Sequence, residues 1–211
     1  MRSPITRSPT HPHPDQQHSS RAVRPRTAAD RWTRPGLTTR PAPGPLDRGV
    51  HAIGEADQIR QFRNSEKDEC ELNMCTAVDR NDKARVCVPG TIKVLARRQI
   101  ETYSKLFHTV DHVEGILRPG FDSLDAFLTH AWAVTVTGAP KLWAMQFVED
   151  NERSSRRWFA GAIAGVNFDG SVNTGLPMCS IRVKDGLPDA RVAPACLFDH
   201  VYTDDTPACP C

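Results

Sequence analysis

Apolar residues are scattered and irregular up to about Val50, and from there they gather into segments with recognisable periods. Residues 56–62 and 65–84 have helix-forming composition. Ser65 stands before Glu66, Asp68 and Glu69, a hydroxyl cap followed by acids in the first turn, which predicts a helix start there. Pro89-Gly90 marks a turn, and the β-leaning runs 91–103 and 106–117 on its far side are expected to pair. Residues 123–131 read as a short amphipathic helix, and Pro140 suits the first position of another helix reaching about Asp150. Phe168-Asp169-Gly170-Ser171 separates runs 158–168 and 172–183 as a hairpin turn would. A last strand is expected over 190–198, after which the pattern stops.

Charge divides the chain at the same place. Residues 1–50 hold nine of the seventeen prolines, nine arginines, three aspartates and no lysine, a net charge of +6, while the rest carries −4. Proline at that density, with little apolar surface to offset ordering, predicts a disordered leader over 1–45. Residues 46–199 then form the domain, and 200–211 an unstructured tail. The overall charge of +2 therefore says nothing about a partner, and the basic leader reads as solvated rather than as a nucleic-acid arm. His11 and His13 lack further ligands for a metal. The seven cysteines follow no framework spacing, and no apolar stretch has the length of a membrane span or the form of a signal peptide. A reduced, cytoplasmic protein is expected, with no membrane contact.

Four stretches carry a resemblance: ELNMCTAVDRNDKARV (71–86), YSKLFHTVDHVEG (103–115), TVTGAPKLWAM (135–145) and WFAGAIAGVNFDG (158–170). Together they resemble the chorismate-binding half of anthranilate synthase component I, in the form fused to its glutamine amidotransferase, from about Arg48 to Asp199. The resemblance implies an α+β fold, layered antiparallel sheets with flanking helices. It implies a lyase of tryptophan biosynthesis that turns chorismate and ammonia into anthranilate and pyruvate. Chorismate carries two carboxylates and a hydroxyl leaving group, so such a site needs electron withdrawal, anion contacts and acid–base groups.

Residue by residue, the resemblance makes Glu71 a magnesium ligand with Asp68 one turn earlier, since Mg²⁺ takes hard oxygen donors. It makes His108 the active-site histidine, gives Thr135 a catalytic place, and puts Gly138, Ala139, Pro140 and Lys141 in the loop lining the substrate pocket. Residue type alone leaves blander roles open: Glu71 as one acid of a solvated helix face, His108 as a structural histidine. A glutamine amidotransferase domain or subunit is the implied ammonia source.

Departures accompany the match. Ala77 stands where the family usually has an acid, Phe159 where it commonly has tyrosine, and Cys179 where an arginine meets a substrate carboxylate. Val192-Ala193-Pro194-Ala195 replaces a glycine-containing turn, and proline there removes a donor. The acidic helix that completes the magnesium cage has no counterpart before Cys211. These readings imply a truncated and inactive copy of the enzyme. The alternatives are a non-catalytic interaction remnant and an aminase of the aminodeoxychorismate synthase type.

Overall fold

A computed structural model describes residues 19–23, 36–42, 46–49, 51–178 and 181–191. In chain order its elements are β1 (Ser19–Val23), β2 (Gly36–Thr39), β3 (Leu46–Asp47), α1 (Ala52–Asn64), α2 (Glu66–Val86), β4 (Lys93–Thr102), β5 (Leu106–Ile116), α3 (Ser123–His130), α4 (Val134–Thr137), α5 (Lys141–Asn151), β6 (Ile163–Val166), β7 (Val172–Gly175), β8 (Ile181–Lys184) and β9 (Leu187–Ala190). The mixture of helices with antiparallel sheets is the α+β architecture that the sequence predicts.

The long strand β5 organises the main sheet. One of its edges pairs with β4; the other takes β3 near its start, at Phe107, and β2 near its end, from Val113 to Ile116. From β2 the sheet continues through β1 and β7 to β6, every pair antiparallel. With neighbours on both edges and α2 packed against it, β5 buries an unbroken run from Phe107 to Asp111. The expected pairing of the two β-leaning runs and the expected hairpin at Phe168–Ser171 are both present.

Three local outcomes differ from the sequence pattern. Segments 19–23 and 36–39, which composition puts in the leader, are strands of the sheet, and Leu37 and Thr39 of β2 are buried. A four-residue strand between Pro35 and Pro41 is too short to show a period. The expected strand 172–183 is broken at Leu176–Met178, and its far part pairs instead with residues 187–190 across Asp185-Gly186. Both turn residues have positive φ, +53° and +78°, the backbone an Asp-Gly hairpin turn requires. Pro140 caps α5 rather than opening it. The rest of the expected leader, most of the 190–198 strand and the 200–211 tail lie outside the described residues.

Ser65 ends α1 and begins α2, its hydroxyl accepting the Asp68 N–H at 3.2 Å. The buried positions of α2 are Glu71, Leu72, Cys75, Thr76, Asp79, Asp82, Lys83 and Val86. They keep a helical period but are mostly polar, so this face is held by paired polar groups rather than by apolar packing alone. Thr76 donates to Asp111 of β5 at 2.7 Å. The other oxygen of Asp111 accepts the Arg98 N–H at 2.8 Å, where β4 bulges and Arg98 has φ +51°. Apolar packing takes over at the C-terminal end of α2, where Val86 and Cys87 meet Leu37, Leu117 and Ala126.

Candidate functional site

A cleft with about 690 Å³ of empty space, its open mouth included, lies between α2, the end of β2, the α3–α4 connection and β7. Its wall is built from residues far apart in the chain: Thr39 and Arg40, then Cys75, Asp79 and Asp82, then His130 to Thr135, then Thr174 to Leu176. The helical stripe Cys75–Asp79–Asp82 faces it because those positions are spaced one turn apart.

Each acid of this stripe pairs with a lysine, Asp79 with Lys83 and Asp82 with Lys141. Lys83, fully buried, donates to Asp79 Oδ2 at 2.7 Å and to Thr39 Oγ1; Thr39 in turn donates to the same carboxylate oxygen at 2.8 Å. The His130 Nε2 stands 3.4 Å from the other Asp79 oxygen, and its Nδ1 is 2.7 Å from the Ala126 carbonyl. Burial works to raise the Asp79 pKa, but His130 and Lys83 outweigh it and hold the group at about 2. Burial also depresses Lys83, with Asp79 opposing the shift. Asp82 receives Lys141 Nζ at 2.9 Å, and that ammonium also donates to the Thr129 and His130 carbonyls at 3.2 and 3.1 Å.

The Cys75 sulfur lies 3.2 Å from the Thr135 hydroxyl inside the cleft. Burial pushes that thiol up to about 12, so at neutral pH it is no nucleophile. The cleft therefore offers hydroxyls, a histidine and charge pairs for holding a polar ligand, and no activated nucleophile among the described residues.

Of the residues singled out in the sequence, Thr135 lines the cleft. Lys141 lies behind its wall as a tether of α2, α3 and α5, while Gly138, Ala139 and Pro140 form the turn beside it; Gly138 has φ +110°, which favours glycine. Glu71 is on the same helical stripe as Cys75, one turn towards the N-terminus and buried, with Asp68 half-buried a further turn on. Burial raises the Glu71 carboxyl to about 7, with Lys67 opposing and Asp68 adding to the shift. His108 is buried in β5, edge-on to the Tyr103 ring at 5.6 Å, and is not part of the cleft wall.

Magnesium would need several hard oxygen donors. Among the described residues no three His, Cys, Asp or Glu side chains come together to hold an ion. Glu71 and Asp68, one turn apart on α2, would supply two of those donors. Among the departures, Ala77 is exposed on α2 outside the cleft wall, and Phe159 packs beneath the Arg156 and Arg191 guanidiniums, 5.5 and 5.9 Å away. Cys179 and residues 192–195 lie outside the described residues. The sequence reading missed Thr39, Arg40, Asp79, His130 and Thr174. The one-turn spacing of Asp79 from Cys75 was the available signal; Thr39 and Arg40 were hidden among prolines.

Comparison with known proteins gives this chain a class. The chain belongs to the family of chorismate binding enzymes, whose profile matches residues 31–192. It is similar to an anthranilate synthase of Azospirillum brasilense, 57% identical over 163 residues, which are 77% of this chain and 22% of that protein. It is also similar to anthranilate synthase component 1 of Saccharolobus solfataricus, 37% identical over 77% of this chain and 39% of that one. The fold is shared with the menaquinone-specific isochorismate synthase from Escherichia coli, with a TM-score of 0.62 at 17% identity, over 71% of this chain and 34% of that structure. The chain thus spans from about a fifth to two fifths of the length of these relatives. Among the described residues no helix is long and apolar enough to cross a membrane.

Proposed function

We propose that the cleft is the part of a chorismate site that this chain contributes, of the kind used to make anthranilate and pyruvate from chorismate and ammonia in tryptophan biosynthesis. The observation that carries this reading is the joining of two motif blocks at one wall: Asp79 and Asp82 from the 71–86 block face the same cleft as Thr135 from the 135–145 block. The 57% identity to a protein named anthranilate synthase favours that branch over isochorismate synthesis, two solved examples of which are 17% and 18% identical. In this reading the chain works in the cytoplasm, where a glutamine amidotransferase domain or subunit would supply ammonia. The departures at Ala77, Phe159 and Cys179 favour a chain that binds chorismate without turning it over.

The test is calorimetric titration of the full chain with chorismate, with and without Mg²⁺, alongside an anthranilate fluorescence assay with ammonium. Binding without anthranilate formation is the expected result. No heat from a sample shown to be folded by circular dichroism would sink the reading. A second reading, that of an interaction remnant, is favoured by one observation: α5 exposes Leu142, Trp143 and Phe147, and β6 exposes Ile163 and Val166. Co-purification of a stoichiometric chorismate-enzyme subunit would support it over the first.

A further inference from the structure

Within the cleft wall the two carboxylates are already matched: Asp79 by Lys83 and Asp82 by Lys141. Neither lysine lines the cleft, and among the described residues that do, Arg40 is the only arginine or lysine. Its backbone is fixed on both sides. Thr39 before it is paired in register with Val113, and the Pro41 carbonyl after it accepts the Asp111 N–H at 3.1 Å. Its side chain is 46% exposed and pairs with Glu101 of β4, 2.8 Å from Nη1. Glu101 is not part of the cleft wall, and it also accepts the Tyr103 hydroxyl at 2.7 Å.

An exposed Arg–Glu pair of this kind contributes little, about 0–1 kcal/mol. A planar guanidinium can exchange such a partner for the two oxygens of a carboxylate, a geometry lysine cannot reproduce. The geometry points to Arg40 as a carboxylate-binding residue of the cleft, releasing Glu101 and taking an oxygen pair of the ligand. This rests on the chorismate reading for the identity of the natural ligand.

The experiment follows the Arg40 Nε–Hε signal of the ¹⁵N-labelled full chain during titration with chorismate and, separately, with benzoate, a ring with one carboxylate. Each titration is repeated calorimetrically on Arg40→Met, Arg40→Lys and Glu101→Gln. The Arg40 signal is expected to shift on saturation, with Arg40→Met weakening binding by about tenfold or more, as loss of a charge-assisted hydrogen bond does. Arg40→Lys should recover only part of that loss, and Glu101→Gln should tighten binding about two- to threefold by removing the competitor. A shift with benzoate but no chorismate binding would uphold the carboxylate subsite and overturn the chorismate reading. Chorismate binding that leaves the Arg40 signal and the Arg40→Met affinity unchanged would overturn the assignment and leave the chorismate reading intact. No shift with either probe would also overturn it.

Discussion

The layer built on α2 and β5 and the segment from α5 to β9 are packed by opposite rules. In the first, polar side chains are buried and answered: Asp79 by Lys83 and Thr39, Asp111 by Thr76 and the Arg98 N–H. In the second, apolar side chains remain open. Leu142 is 83% exposed, Trp158 70% and Ile163 69%, and the β8–β9 hairpin leaves Ile181, Val183 and Leu187 exposed. Burial of charge needs partners fixed by the fold, so the first region defines its own geometry. The second has surface to spare and few internal constraints. The cleft lies where the two meet, and its charged groups come from the first.

That contrast can be broken hardest at the buried ion pair. Lys83→Met should destabilise the chain by about 3–5 kcal/mol in urea denaturation, because it strands a buried carboxylate. Lys83→Met with Asp79→Asn should recover part of the loss; equal losses would mean the pair is not what holds this face. Next in size, Leu72→Ala, at 1% exposure, should cost about 2–5 kcal/mol, while Leu142→Ala, at 83%, should stay within about 0.5 kcal/mol. Similar losses for the two would erase the distinction between the regions.

Stability against pH sharpens it further. Glu71 is raised in the folded chain from 4.5 to about 7, so folding favours its protonated form. Its contribution is complete below the unfolded value and is lost as pH rises to about 7, at no more than about 1.4 kcal/mol per pH unit. Glu71→Gln should remove that slope in denaturation midpoints between pH 4.5 and 7. Asp79 has the opposite sign. Its depressed pKa of about 2 stabilises the fold above the unfolded carboxylate value, and that contribution disappears as acid is added through about pH 2. The smallest expected effect is Ser65→Ala, about 1 kcal/mol from loss of the cap, read in the same denaturation curves.

Much of this was written locally. The Ser65 cap, the paired runs on either side of residue 104 and the Phe168–Ser171 hairpin follow from period, capping and turn chemistry, and the structure has all three. The TGAPK block marked a segment that meets the cleft, but not how its lysine is used, because the Asp82 partner is 59 residues away. The cleft wall gathers Thr39, Asp79, His130 and Thr174, which share no local pattern. The strand carrying Thr39 is obscured by neighbouring prolines, while the β8–β9 turn lies just past the run 172–183, where Asp185-Gly186 is itself a hairpin signal.

Lys141 has one more consequence. A single ammonium holds the first turn of α5 to Asp82 on α2 and to the last two carbonyls of α3. Its three bonds share one atom, so one charge-assisted anchor serves three helices. The α3–α4 connection beside it is therefore pinned through one atom, and removing that ammonium would release α2, α3 and α5 from one another at a single stroke.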